Sequence, residues 1–187
     1  LENRFVSEKK MKISHNDISR LIGYIEDAFI ISSSKRYNLR GNAYFDTPLK
    51  YYYTDIGLRN ARINFRQTEE THTMENIIYN ELIRRGCSVD VGVIESIIKN
   101  KEGKSQRSKL EIDFVVNSSG QRIYIQSAFS VSEKEKQNQE TRSLKMIHDS
   151  FKKIVITGDR IYPWFDQNGI YYINLQDFLL NRNSLVF

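Results

Sequence analysis

Lys109-Leu110-Glu111-Ile112-Asp113-Phe114-Val115-Val116, then Asn117-Ser118-Ser119-Gly120, then a run from Gln121 to Ser130 containing Tyr124-Ile125-Gln126-Ser127-Ala128, is the stretch whose reading decides the fold. Apolar and polar residues alternate on both sides of a Ser/Asn/Gly-rich turn, which predicts two antiparallel strands joined by a hairpin. Gln126 then lies just across the hairpin from Asp113. Upstream, Met74, Ile77, Ile78 and Leu82 lie at helical spacing, with Thr73 as an N-cap and Gly86 as the left-handed stop. Ser88 to Glu95 alternates like a strand, and residues 99–109 read as a polar, solvated loop. Downstream, Glu133 to Phe151 predicts a helix, Lys153 to Thr157 and Gly169 to Leu175 two strands, and Asp177 to Leu180 a closing turn of helix. The order αβββαβ, with a further strand and helix, is a mixed α/β layer architecture rather than a doubly wound parallel sheet.

The part before this core has a different character. Residues 1–66 hold 12 Lys/Arg against 7 Asp/Glu, whereas residues 67–187 hold 16 of each, so the net charge of +5 arises entirely from the first third. Such an excess suits a polyanion, although a solvated basic face has the same composition. Ile18, Leu21, Ile22, Ile25, Ala28 and Phe29 make one apolar stripe on a helix, and Ser14 with Asp17 makes a capping box. Ser34-Lys35-Arg36-Tyr37, a turn near Arg40-Gly41-Asn42, and Ala43-Tyr44-Phe45 follow as strand, turn and strand. A helix followed by a two-stranded wing is the second half of a winged helix, in which Ser19 and Arg20 face DNA and Lys35, Arg36 and Arg40 lie on or near the wing. Packing against a neighbouring domain would need the same pattern. Lys50-Tyr51-Tyr52-Tyr53-Thr54-Asp55-Ile56-Gly57 reads as a strand ending in a turn, a hinge in which one tyrosine is buried with its hydroxyl satisfied and Asp55 can pair with Arg59. The expected boundaries are a small winged-helix-like region over 1–66 and a second domain over 67–187.

Several chemistries are excluded or disfavoured. Cys87 is the only cysteine, so no internal disulfide forms, which fits a reducing, cytoplasmic compartment. No apolar run approaches the ~20 residues that span a bilayer, and no membrane partner is expected. His15, His72 and His148 lack zinc-ligand spacing. The chain begins at Leu1, which suggests a fragment. No Gly-x-x-x-x-Gly-Lys-Ser/Thr string occurs, so no P-loop is expected in these residues.

Glu75 on the helix, Asp113 on one strand and Gln126 on the next make a candidate site for a hard cation such as Mg²⁺. This helix, strand and following strand resemble the PD-(D/E)XK restriction-endonuclease-like fold. Gln126 stands where that family has Glu or Gln, but Ala128 stands where it has its catalytic lysine, so the resemblance implies a degenerate site. Lys109, on the same strand face as Asp113 by parity, is the candidate for a migrated lysine. Simple alternatives are an ion pair of Asp113 or Glu111 with Lys109 or an arginine, and a first-turn, dipole-favoured Glu75. The strings 50–60, Met74 to Gly86, Leu110 to Phe114 and Tyr124 to Ala128 together resemble the C-terminal half of a widespread group of bacterial AAA+-type ATPases. There a Walker-type ATPase module precedes a partial winged helix and a nuclease-like domain. The resemblance implies an accessory module, partnered by an upstream ATPase that alone binds ATP, acting as a non-cleaving DNA-binding or regulatory domain. The alternatives are an active Mg²⁺-dependent endonuclease and a protein-interaction or homo-oligomerisation platform.

Overall fold

The computed structural model describes residues 13–66, 69–99, 105–118 and 120–186. Lys101, Gly103 and Lys104 of the expected loop, and Ser119 of the hairpin turn, lie outside these residues. The elements are α1 (His15–Asp27), β1 (Ile31–Asn38), β2 (Ala43–Tyr53), α2 (Ile56–Arg62), α3 (Glu70–Arg84), β3 (Ser88–Lys99), β4 (Ser105–Ser118), β5 (Gln121–Ala128), α4 (Lys134–Lys145), β6 (Lys152–Thr157), β7 (Trp164–Phe165), β8 (Ile170–Asn174) and α5 (Leu175–Leu180).

One eight-stranded mixed sheet runs in the order β2-β1-β3-β4-β5-β6-β8-β7. The β1–β2, β3–β4, β4–β5 and β7–β8 pairs are antiparallel, whereas β1–β3, β5–β6 and β6–β8 are parallel. The parallel register Ile123↔Lys152 to Ala128↔Thr157 requires the crossover that α4 supplies. Helices cover both faces. On one, Met74, Ile78 and Leu82 of α3 and Phe178 of α5 pack over Phe114, Val116, Ile125, Ile154 and Ile156. On the other, Leu144 of α4 and Ile147 close over Ile112, Val115, Tyr124, Val155 and Tyr172. The sheet bends where β3 slips register against β4 between Asp90 and Gly92. A Cβ on Gly92 would lie 2.9 Å from Val115 Cγ2, 3.0 Å from Ile112 Cβ and 3.2 Å from Leu39 Cδ1, so the bend needs glycine there. Among the described residues, no helix is long and apolar enough to cross a membrane.

The mixed α/β class expected from the sequence is the class observed, and several local expectations change. Helix α1 carries the Ser14–Asp17 capping box. Its apolar stripe, however, buries only Ile18; Leu21 and Ile25 are exposed and Phe29 is 82% exposed. The β1–β2 hairpin is not a free wing, because Arg36, Tyr37 and Asn38 of β1 pair with Val91, Gly92 and Val93 of β3 and bind it into the sheet. The expected boundary between residues 66 and 67 therefore crosses a continuous sheet rather than a gap between sheets. The hinge after Tyr53 is helix α2, capped by Asp55, whose carboxylate accepts the Gly57 and Leu58 N–H groups; it is spent on the cap. Helix α3 starts earlier than expected, with Glu69 rather than Thr73 at the N-cap, so Glu75 sits past its first turn. Gly86 does adopt the left-handed conformation (φ +80°) that ends it. Most of the expected 99–109 loop is strand, since β4 begins at Ser105.

Candidate functional site

Strand β4 turns Asp113 toward Gln126 of β5, because the register Phe114↔Ile125 sets the two directly opposite. Gln126 Nε2 donates to Asp113 Oδ2 at 2.8 Å, and the Ser127 backbone N–H donates to the same oxygen at 2.9 Å. Helix α3 brings Glu75 over these central strands of the sheet, where the Tyr52 hydroxyl donates to Glu75 Oε1 at 2.9 Å. The three expected residues therefore converge.

A fourth group joins them from β2. Lys50 Nζ lies 2.6 Å from Glu75 Oε1, 3.0 Å from Glu111 Oε1 and 3.8 Å from Asp113 Oδ1. Lys50 and Tyr52 are two apart on one strand, so they share a face. That face is pinned to α3: Asn76 Oδ1 accepts the Tyr53 N–H at 2.9 Å, its Nδ2 donates to the Tyr53 carbonyl at 2.7 Å, and the Tyr52 ring stacks on Tyr79 at 3.9 Å. Arg36 pairs with Glu111 from the other side and donates its Nε to the Pro48 carbonyl at 3.0 Å. Lys109, the expected migrant, does not arrive. It lies opposite Glu95 in the β3–β4 register, 3.4 Å from that carboxylate and 4.9 Å from the Phe45 ring centre. Glu111 pairs with Arg36 and Lys50, not with Lys109.

The electrostatics follow from burial and this packing of like charges. Burial and the adjacent Glu75 charge push the Asp113 carboxyl up to about 7, against the opposing pull of Lys50. Burial works against the Lys50 ammonium, but Glu75, Asp113 and Glu111 outweigh it and hold the group charged. Burial likewise raises the Glu111 carboxyl, and the Arg36 and Lys50 contacts reverse this to a net lowering. Burial, then Glu75, raises the Tyr52 phenol far beyond neutral pH, so it remains a donor. Since Asp113 binds its proton more tightly folded than unfolded, the fold takes up a proton between pH ~4 and ~7, and stability falls as pH rises through that window. Asp113→Asn should flatten this slope in metal-free buffer. It should also stabilise the chain at pH 8 by about 1–3 kcal/mol, since each tenfold change in proton affinity on folding corresponds to about 1.4 kcal/mol. Urea unfolding at pH 5 and pH 8 measures this, and a variant equally destabilised at both would refute it.

Glu75, Asp113 and Gln126 converge, but they do not present themselves as a Mg²⁺ ligand set. Among the described residues no three His, Cys, Asp or Glu side chains stand together as metal ligands. The physical reason is local: the Lys50 ammonium occupies the space between the carboxylates, and Gln126 offers its amide N–H, not its oxygen, to Asp113. No step through a metal is derived from this geometry. Ala128 is buried in the core beneath α4.

The expected nucleic-acid residues separate. Ser19 and Arg20 are exposed on α1, with Arg20 Nη2 held 2.9 Å from Asp17. Lys35 is exposed on β1, 5.8 Å from the Tyr44 ring centre, and Arg40 is exposed in the following turn. Arg36 belongs to the carboxylate centre instead. The residues that sequence reasoning missed are Lys50 and Tyr52, and Arg36 was expected at the wing and not at this centre. The signal available for the first two was the alternation Lys50-x-Tyr52 on a strand expected to bury a tyrosine.

No protein-family model matches the chain, and no solved structure matches it. It is 35% identical over 180 residues to an uncharacterized protein of Haemophilus influenzae, in an alignment covering 96% of this chain and 40% of that protein. The chain thus spans well under half the length of the curated relative it matches.

Proposed function

We propose that the chain is the nuclease-like accessory module of a longer bacterial AAA+-type ATPase, and that it holds DNA, or regulates the ATPase, without cutting DNA. The observation that carries this reading is the Lys50 ammonium lodged among Glu75, Glu111 and Asp113. It fills the space between the carboxylates with a fixed cation, which suits retention and binding better than metal-assisted hydrolysis. Two further observations support it. The element order around the centre, helix, three strands, helix and strand, is that of the resemblance. The relative's much greater length leaves room for an ATPase module. ATP would bind only there.

The interaction-platform reading has its own support. Leu21, Ile25 and Phe29 of the α1 region, with Leu58 and Phe65 of the α2 region, expose large apolar side chains on the N-terminal part of the chain. Large apolar side chains left open to solvent are what a docking surface uses, and the ATPase module is the occupant proposed.

Incubating purified protein with plasmid DNA across Mg²⁺ and Mn²⁺ concentrations tests the non-cleaving reading. Little or no cutting is expected, because losing one positioned catalytic group such as the lysine absent at position 128 typically costs ~10²–10⁴-fold in rate. Metal-dependent cutting that Asp113→Ala abolishes would overturn it. If Lys50→Ala also abolished such cutting, Lys50 would be the working lysine of an active nuclease.

A further inference from the structure

A cleft of about 190 Å³ adjoins the carboxylate centre, walled by Phe45, Pro48, Val93 and Leu110, with Arg36, Lys109 and Glu111 completing its lining. We propose that this cleft is a slot for one unpaired nucleobase, so that the DNA this module holds is single-stranded. The proposal rests on the nucleic-acid reading above and deepens it.

Three properties of the cleft point to a base. Its walls are apolar and include an aromatic ring, the surface on which a base stacks whatever its sequence. Its cations are held by the protein and not aimed at the base: Lys109 pairs with Glu95 at 3.4 Å and stands over one face of the Phe45 ring at 4.9 Å, and Arg36 pairs with Glu111 where the slot joins the centre. Glu111 itself excludes the main alternative occupant. A carboxylate in the lining repels a phosphate, so the uncharged ring enters while the phosphodiester stays outside with the cations. Glu111 accepts from Lys50 with one oxygen and contacts Arg36 with the other, so the cations at this end are already paired and the phosphodiester lies outside the slot. The volume admits one ring system and no base pair. A base within a duplex would have to leave its stack first, which favours strands already unpaired. The chain's charge of +5 supplies the long-range attraction.

Fluorescence anisotropy in EDTA buffer at low salt, with a labelled mixed-sequence DNA oligonucleotide either single-stranded or annealed to its complement, tests this. The parent should bind the single strand at least roughly tenfold more tightly than the duplex. Phe45→Ala should weaken single-strand binding roughly fivefold or more, the range expected for loss of one stacked base, and leave duplex binding unchanged. Leu110→Trp, which fills the slot, should do the same, and thermal melting of each variant establishes that it folds. Equal affinity for both forms would overturn the slot alone, as would unaltered single-strand binding by either folded variant. Failure of the parent to bind either form would overturn the nucleic-acid reading and the slot with it.

Discussion

Lys50→Met should destabilise the protein by about 3–5 kcal/mol at pH 8, the range for removing one partner of a buried ion pair. Methionine keeps the length and apolar stem of lysine, so the cavity contribution is small and the loss is electrostatic. Glu75, Glu111 and Asp113 would then share one enclosed face of the sheet with Arg36 as the remaining paired cation, and of the three carboxylates Arg36 contacts only Glu111. The loss should shrink at pH 5. Lys50 is among the groups that lower the Asp113 carboxyl, so without it Asp113 titrates higher still and takes a proton in place of the missing cation. The folded state then binds more protons than the unfolded one over a wider range, and stability falls further with rising pH than in the parent. Adding Glu75→Gln to Lys50→Met should restore part of the loss, since the two side chains touch and their effects cannot add. Chemical unfolding of the two single variants and the double variant at both pH values measures the coupling. A Lys50→Met loss below about 1 kcal/mol at pH 8 would mean that the ammonium is solvent-screened and does not hold the centre.

That Lys50 escaped sequence reasoning, while Asp113 and Gln126 did not, has a physical basis. The β4–β5 hairpin is local, and alternation alone puts Asp113 and Gln126 on one face of it; a turn over 117–120 would have paired Asp113 with Tyr124, and the observed Ser118↔Gln121 pairing tightens the turn and sets Gln126 opposite. Strand parity also put Lys109 on the Asp113 side, but parity says nothing of reach, and the partner across that part of the sheet is Glu95. Lys50 arrives through pairings distant in sequence: β2 on β1, β1 parallel to β3, and Asn76 of α3 on the Tyr53 backbone. No local pattern encodes these. Helix α2 was hidden because Gly57 reads as a turn, although Asp55 ahead of it is a good N-cap. The outer ends of β3 (Ser96-Ile97-Ile98-Lys99) and β4 (Ser105-Gln106-Arg107-Ser108) carry no apolar–polar alternation, so the pattern does not mark them as strand. The α1 stripe was correctly periodic, yet periodicity marks a face that can be buried and does not say that this chain buries it; Phe29 remains open.

Arg85→Ala should cost about 3–5 kcal/mol, whereas Arg84→Ala, one residue away and bonded to the same carboxylate, should cost about 1 kcal/mol or less. Arg84 lies at the surface with its side chain 63% exposed, and its contacts end at Glu81. Arg85 is 6% exposed and ties α3 to the C-terminal segment. Its Nε donates to Glu81 Oε1 at 2.7 Å and its Nη1 to Ser184 Oγ at 3.0 Å and the Arg182 carbonyl at 3.3 Å. Its Nη2 donates to the Phe178 carbonyl, and to that of Asn181 at 3.3 Å, while the guanidinium lies 4.4 Å over the Phe178 ring. Deleting it takes the buried partner from Glu81, which keeps only the surface contact of Arg84, and leaves the Phe178, Asn181 and Arg182 carbonyls without that donor. Arg85→Lys should rescue little, because an ammonium offers three donors at one point where five spread over a planar fork are in use. The pH dependence separates this site from the Lys50 centre. The Arg84 hydrogen bond, opposed by burial and reinforced by Arg85, lowers the Glu81 carboxyl. A lowered carboxyl contributes stability above its unfolded pKa and loses it as pH falls through the folded value. The Arg85→Ala loss should therefore diminish in acid below the ordinary carboxylate range, not near neutrality. Amide exchange would show the change first at residues 181–186, and a variant that kept parent protection there would refute the role of Arg85 as the anchor of the C-terminal segment.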